Sequence, residues 1–279
     1  MTISGKAVLA GVMGWPVGHS RSPRLHGYWL NHYDIDGAYV PLAVRPEHLQ
    51  AALRAMPKLG FRGCNLTVPH KEAAIPLLDR IDDAARHIGA VNTVIVEADG
   101  SLTGRNTDAP GFIANLRQGA PKLALDGATA MVIGAGGAAR GVVAGLIEAG
   151  VVEIKLANRS VERSHALARA FEPYVVPVPW EERADRMDDI DLLVNTTSLG
   201  MTGEPPLDLP LDGLPRKAVV TDVVYAPLET DLLARARGRG NVVVDGLGML
   251  LHQAVPGFAA WFGVEPEVTE GLRRHVIAV

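Results

Sequence analysis

A single cysteine, Cys64, in 279 residues rules out an internal disulfide and suits a reducing, cytoplasmic setting. Aromatic residues are scarce at 5%, and no repeat, low-complexity tract or charged tail interrupts the chain. The formal net charge of −4 leaves no basic footprint for nucleic acid or for an anionic membrane surface. There is no cysteine cluster, and His19, His26 and His32 lack the i, i+4 spacing of a helical metal pair, so no metal site is expected. The opening residues "MTISGKAVLAGVMGWP" carry too short an apolar stretch and too many turn formers for a signal peptide. One run, "ATAMVIGAGGAARGVVAGLIEAG", is nearly uncharged over a length that could cross a bilayer. Its six glycines, Arg140 and Glu148 fit a buried strand, a turn and a buried helix better. "GHSRS" lacks the closing glycine of a nucleophile elbow, which disfavours a serine hydrolase.

What is present is a large core-forming fraction, 48% apolar against 21% charged, in a chain long enough for two domains. Strand-like and helix-like segments alternate: "KAVLAGVMG", "AYVPLAV" and "FRGCNLTV" read as strands, with helices over "SPRLHGYWLNHY" and "PEHLQAALRAMPKLG". Ser22 suits an N-cap and Pro23 the first helical position. "AVNTVIVEADGSLTGRNT" reads as a hairpin turning at Asp99–Gly100. From Asp108 onward strand–helix units follow one another to a final helix over "GMLLHQAVPGFAAWF". Repeated β–α units imply an α/β fold built on mostly parallel sheets.

"VIGAGGAAR" places Gly134, Ala135, Gly136, Gly137 and Ala138 between a strand and a helix, in the pattern Gly134-x-Gly136-x-x-Ala139. The first glycine allows a tight turn, the second lets a pyrophosphate approach the backbone, and a small third residue lets helix and strand pack closely. The phosphates would meet free N–H groups at the helix N-terminus. A ribose with free hydroxyls is usually held by an acid about twenty residues further on. Here that place reads "ANRSVER", with Asn158, Arg159, Ser160 and Arg163 and no acid at the strand end. Two guanidinium groups suit a 2′-phosphate, which favours NADP over NAD. The plainer alternative leaves both arginines solvated and Ser160 as a helix cap.

Four polar clusters, "HSRSP", "NLTVPHK", "AVNT" and "GRNTD", sit where strands end or loops begin. Each has a plain structural use: Ser22 and Asp108 as helix caps, Asn92 as a turn residue, Lys71 as a solvated lysine. His70 beside Lys71 is a further proton-transfer candidate. Their gathering in one half, with a cofactor turn in the other, favours a ligand cleft.

With those clusters in order, the chain resembles the shikimate dehydrogenase family throughout. The likeness runs from "GWPVGHSRSPRLH" through "NLTVPHK", "GAVNT", "GRNTD", "GAGGAAR", "NRSVER", "NTTSLGM" and "DVVYAPLETDLL" to "DGLGMLLHQA". The resemblance implies two α/β domains with a cleft between them: a substrate domain over 1–107, a Rossmann-type NADP domain over 108–245, and a segment 246–279 returning to the first. It implies NADPH-dependent reduction of 3-dehydroshikimate to shikimate, a step of aromatic amino-acid biosynthesis, in a monomer or homodimer that binds a small-molecule substrate. By the family pattern Ser20, Ser22 and Tyr225 bind the substrate carboxylate. Thr67, Asn92, Asp108 and Gln253 bind ring hydroxyls and the reacting oxygen, and Lys71 with Asp108 forms the catalytic pair. Gly134 to Ala138 hold the phosphates, Asn158, Arg159, Ser160 and Arg163 the 2′-phosphate, and Val223 and Gly246 the nicotinamide, with Asp83 a further cofactor contact. One departure is Gly27, where the family usually shows Asn. Three other readings stand beside this one: a paralogue that also uses quinate or NAD, a dinucleotide-binding regulatory module without turnover, and a folate-linked dehydrogenase of similar architecture.

Overall fold

The computed structural model describes residues 3–278. The chain divides into two compact units, one of residues up to Thr107 together with Gln253 onward, the other Asp108–His252.

In the first unit, β1 (Val8–Gly14), α1 (Ser22–His32), β2 (Gly37–Ala43), α2 (Leu49–Ala55) and β3 (Phe61–Leu66) follow one another. Then come α3 (His70–Ala73), β4 (Arg80–Ile81), α4 (Asp83–Ile88), β5 (Thr93–Val96) and β6 (Leu102–Arg105). The sheet order is β2-β1-β3-β5-β6-β4. β1 pairs in parallel with β2 and β3, as the β–α alternation implies. β5 runs antiparallel to β3 and β6. The β5–β6 hairpin turns at Asp99–Gly100 as expected, with Gly100 at φ +80°. Pro41 lies in β2, an edge strand, where a missing N–H costs no ladder bond. Cys64, Leu66, Val94, Leu102, Leu53 and Met56 pack one core of this unit.

The second unit opens with α5 (Asp108–Gly119), β7 (Thr129–Ile133), α6 (Gly137–Glu148), β8 (Glu153–Ala157), α7 (Val161–Ala170) and β9 (Val175–Val178). It continues through β10 (Leu192–Asn195), β11 (Val219–Asp222), α8 (Asp231–Gly238), β12 (Val243–Val244) and α9 (Leu247–Phe262). The last helix, α10 (Glu270–Ile277), belongs to the first unit. All six strands are parallel in the order β12-β11-β10-β7-β8-β9. Strand order therefore reverses between β7 and β10, the switch point where open α/β sheets take ligands at their carboxyl ends. Met131, Ile133, Leu193, Val220 and Leu233 fill a core of this unit.

Two local expectations change. The return to the first unit falls at Gln253 rather than 246, because α9 is one continuous helix whose first turns pack with the second unit. Ser22 is not the N-cap of α1; Arg21 holds that place, its carbonyl accepting from the Leu25 N–H at 3.0 Å. Ser22 is already helical, and its N–H donates to Ser20 Oγ at 3.3 Å. The cap therefore falls one residue earlier than the pattern suggests, and the serine oxygen beside it comes from Ser20, two residues before Ser22. The added Cβ that the family's Asn would bring at Gly27 meets nothing within 4 Å, so that departure costs no packing. Among the described residues no helix is long and apolar enough to cross a membrane.

Candidate active site

The first unit assembles its polar clusters at the ends of β1, β3, β5 and β6. The loop after β1 is fastened to the loop after β3: the Trp15 N–H donates to the Val68 carbonyl at 3.0 Å, and the Thr67 N–H to Met13 at 2.9 Å. A Cβ on Gly14 would overlap the Thr67 side chain, so glycine is what lets the two loops touch. This fixes the start of the loop that leads on to Ser20 and Ser22 against Thr67. Thr67 in turn caps the short turn that carries Lys71, its carbonyl accepting from the His70 N–H at 2.8 Å. The Lys71 carbonyl then accepts from the Val91 N–H at 2.8 Å, which sets Lys71 next to Asn92 in the fold. His70 is buried and its Nε2 pairs with the Val44 carbonyl at 2.7 Å, which accounts for it structurally.

Asn92 is the centre of a buried amide–hydroxyl cluster. Its Oδ1 accepts from the Thr107 N–H at 2.8 Å, and its Nδ2 donates to Thr107 Oγ1 at 2.9 Å and Gln253 Oε1 at 3.2 Å. Thr107 Oγ1 donates to the Gln253 carbonyl at 2.7 Å, tying the returning helix to the hairpin. Thr93, Asn65 and Tyr39 extend the cluster, with the Tyr39 phenol donating to Asn65 Oδ1 at 2.6 Å. The Ser22 hydroxyl also hydrogen-bonds that phenol. Burial holds the Tyr39 phenol well above its ordinary range, so it stays protonated. The sequence showed Asn65, Thr93 and Thr107 only as neighbours inside quoted motifs, and Tyr39 gave no signal at all. A buried polar side chain on a strand is visible only once its partner strand is known.

In the second unit Gly134 follows β7 at φ +111°, a region open to glycine, and an added Cβ would lie 2.5 Å from Thr196 Oγ1. Thr196 comes from the end of β10 and donates to the Ile133 carbonyl at 2.7 Å, so the glycine turn is closed from across the switch point. α6 begins after Gly136 with no side-chain cap and no acid in its first turn. Its leading N–H groups are thus available to an anion. Gly137 and Ala138 open this helix, and Ala139 is fully buried, as close helix–strand packing requires.

After β8, Asn158 Nδ2 donates to the Ser160 carbonyl at 2.9 Å, and Ser160 Oγ accepts from the Arg163 N–H at 3.3 Å as the N-cap of α7. Arg159 and Arg163 are exposed. An acid does enter this group: Ser160 Oγ donates to Glu162 Oε2 at 2.9 Å. The backbone N–H of Glu162 and the Ser160 hydroxyl hold that carboxyl below its usual range. The strand end itself carries no acid, as the sequence shows; the acid sits in the first turn of α7 instead.

The loops after β10 and β11 share a buried clamp. Asp222 Oδ1 accepts from Asn195 Nδ2 at 3.1 Å and from the Val224 N–H at 2.9 Å, and Oδ2 accepts from the Thr230 hydroxyl at 2.8 Å. The Val223 N–H donates to the Asn195 carbonyl at 3.0 Å. Val223 is therefore held on both sides, and Tyr225 lies two residues further on. Gly246 comes up against the same segment: an added Cβ would intrude on the Val223 carbonyl and lie 2.6 Å from the Val224 carbonyl oxygen. Of the expected cofactor residues, Asp83 alone lies in the first unit, exposed in the first turn of α4. Lys71 is in the first unit, and Asp108 opens α5 in the second with 4% exposure.

Burial pushes the Asp222 carboxyl up to about 6 from an ordinary 3.8, against the pull of its three hydrogen-bond donors. The folded protein keeps a proton there that the unfolded chain has already released. This group's contribution to stability is complete below 3.8 and is lost as pH rises through about 6. Asp222→Asn keeps an acceptor for Asn195 and Val224 but carries no charge. Its Tm relative to the unmutated protein is expected to rise by several degrees between about pH 5 and about pH 8. Thermal melts at the two pH values check this, and a constant Tm difference contradicts it.

A parallel sheet whose order reverses at a glycine turn, in a chain whose other unit is rich in buried amides and hydroxyls, defines an α/β protein of the dinucleotide-binding class. Comparison with known proteins narrows that class. Residues 12–94 match the shikimate dehydrogenase substrate binding domain, and residues 117–201 match the shikimate / quinate 5-dehydrogenase family. The NADP(+)-dependent shikimate dehydrogenase of Paramagnetospirillum magneticum is 62% identical over 276 residues, covering 99% of this chain and all of that one. The Thermus thermophilus shikimate 5-dehydrogenase, solved with NADP(H) and shikimate, superposes with a TM-score of 0.85 at 38% identity, over 96% of this chain and 98% of that one. A quinate dehydrogenase of Corynebacterium glutamicum, solved with NAD, has a TM-score of 0.90 at 34% identity, over 98% and 99%. The chain belongs to the shikimate dehydrogenase family.

Proposed function

We propose that this chain catalyses the reversible, NADP-dependent reduction of 3-dehydroshikimate to shikimate, as an oxidoreductase acting on a CH–OH group. The observation that carries the reading is the cluster in which Lys71 is tied to the Asn92 segment and Asn92 to Thr107 and Gln253. Amide and hydroxyl side chains gathered next to the segment that carries Lys71 suit a ligand with several hydroxyls and a reacting carbonyl. Full-length identity of 62% to an NADP(+)-dependent shikimate dehydrogenase supports it.

The residues present fit the cofactor. The uncapped, acid-free start of α6 behind Gly134 suits a pyrophosphate, and Arg159, Arg163 and Ser160 suit a 2′-phosphate. NADPH, when bound, supplies the hydride. Val223 and Gly246 would line its nicotinamide end, and Asp83 is a further contact. Ser20, Ser22 and the Tyr225 hydroxyl would receive the substrate carboxylate. Thr67, Asn92, Asp108 and Gln253 would orient the ring hydroxyls. As the carbonyl carbon gains hydrogen its oxygen gains negative charge, and the Lys71 ammonium stabilises that charge and donates the proton. In the oxidative direction the same amine must take the alcohol proton, which Asp108 assists by accepting a hydrogen bond from the substrate.

The direct test offers shikimate and quinate, each with NADP and with NAD, and follows the reduced cofactor by absorbance. Turnover confined to shikimate with NADP supports the proposal. Comparable rates with quinate and NAD favour the activity for which the Corynebacterium glutamicum relative is named. NADP binding without turnover of either substrate favours a regulatory module.

Glu162 carries a separate expectation. Its carboxylate occupies the Ser160 hydroxyl and adds negative charge where a 2′-phosphate would sit. Glu162→Gln is expected to tighten NADP binding by about twofold to fivefold, the scale of an exposed charge pair, and to leave NAD binding unchanged. Titration of the free enzyme with each cofactor gives the two Kd values. Equal shifts for both cofactors would show that Glu162 acts elsewhere.

A further inference from the structure

We propose that Asn115 is a positioning residue for hydride transfer, tying the Asp245–Gly246 turn to the helix that carries Asp108. The inference rests on the readings of Gly246 as lining the nicotinamide and of Asp108 as part of the reacting pair.

Asn115 is a polar side chain buried on α5, with 6% exposure. Its Nδ2 donates to the Asp245 carbonyl at 2.7 Å. That carbonyl belongs to the peptide joining Asp245 to Gly246, in the short turn between β12 and α9. The approach is close enough to dictate a residue on the facing helix. A Cβ at Gly248, in the first turn of α9, would overlap Asn115 Oδ1, so glycine is what leaves room for the amide.

The other restraints on the turn lead away from α5. Asp245 Oδ1 accepts from the Leu247 N–H at 3.0 Å, and the Gly246 carbonyl from the Leu250 N–H at 3.3 Å. Both bonds join the turn to its own helix, α9. Gly246 also lies against the Val223 and Val224 main chain, which joins it to the loop after β11. Asn115 supplies the tie to α5.

That tie matters because of where it stands on the helix. Asp108 opens α5, and Asn115 comes two turns later, within about 20° of the same face. The rise between them is about 10 Å, a length that the ladder of helix hydrogen bonds keeps fixed. Both residues are buried and both belong to the second unit. The start of α5 is itself seated on α6, where a Cβ at Gly145 would lie 3.0 Å from the Ala109 carbonyl. One stripe of one helix thus carries the reacting carboxylate and holds the nicotinamide wall at a set spacing from it. Hydride transfer is steep in such spacings, whereas binding is not.

Asn115→Leu keeps a branched side chain and removes the donor. The expected result is a single-turnover rate of reduced-cofactor formation about tenfold lower at saturating shikimate and NADP, with both Kd values within about threefold. Deuterium on the carbon that bears the reacting hydroxyl should slow that same phase, which identifies it as hydride transfer. Asn115→Ala also drops the donor and should behave alike, which keeps the test open if Asn115→Leu folds poorly. Gln118→Ala is the control: it removes the neighbouring α5–α9 bond, between Gln118 Oε1 and His252 Nε2 at 3.0 Å, and leaves the turn alone. Its Tm should fall while the hydride rate stays the same. An unaltered hydride rate in both Asn115 variants overturns the proposal, and so does an equal loss in Gln118→Ala. Gly246→Ala with its hydride rate and its Kd for NADP both unaltered would instead remove the nicotinamide assignment, and the proposal with it.

Discussion

Lys71→Ala is expected to lower kcat for shikimate oxidation by about 10²-fold to 10⁴-fold while the Kd for NADP stays the same. The reasoning starts from charge. Hydride transfer to a ketone creates an alkoxide unless a proton arrives with it, and an ammonium within reach is the group that both stabilises and neutralises it. Lys71 is carried on α3, and that segment is pinned by two backbone hydrogen bonds, Thr67 to His70 and Lys71 to Val91. Its stem therefore starts from a fixed point beside Asn92. Alanine removes the ammonium and leaves those backbone bonds intact, so the fold and the second unit's cofactor grip should survive. Steady-state kinetics combined with cofactor titration measures both quantities. A kcat within about tenfold of the unmutated value would move proton donation to another residue, and His70, the one adjacent alternative, is already committed to the Val44 carbonyl.

Gly246→Ala should bring the second large loss. The added methyl has no empty volume to enter: Val223 and Val224 main-chain atoms occupy it, and main chain cannot rotate aside as a side chain can. The Val223 segment is meanwhile held by Asn195 and Asp222, so it resists displacement. Overpacking of this kind costs about 1–3 kcal/mol, and the strain falls on the segment proposed to line the nicotinamide. A Tm lower by several degrees and NADP binding weakened by about tenfold or more are expected. Gly27→Ala is the matched control, since a methyl there meets nothing within 4 Å and alanine suits the interior of α1. Similar losses in both variants would show that the effect is not one of space at Gly246.

Both results depend on positions whose importance was legible to different degrees. The glycine turn could be read directly, because a strand, a small-residue turn and a helix are local features with local causes. The same is true of the Asp99–Gly100 hairpin and of Pro23 in the first turn of α1. The family motifs located Lys71, Asn92 and Asp108 in the chain. The N-cap of α1 was misread by one residue, because Ser20 offers its oxygen to the Ser22 N–H and this competition cannot be seen in a propensity. Glu162 gives no local signal for a related reason: a ribose-binding acid is expected at the strand end, whereas the hydrogen bond to Ser160 forms around the first turn of the following helix.

The sequence by itself determined the class of fold, the existence of a dinucleotide turn and the residue types available for proton transfer. These follow from periodicity, from glycine's access to positive φ and from side-chain chemistry, all of which act over a few residues. Only the tertiary structure decided the reversal of strand order between β7 and β10, and the Asp222–Asn195 clamp across 27 residues of chain. It also decided the buried cluster that extends from Tyr39 to Gln253. Those features depend on which strands become neighbours, and that is settled by the packing of whole sheets and helices. A buried hydroxyl or amide finds its partner only after the sheet has formed, and no local pattern records the choice.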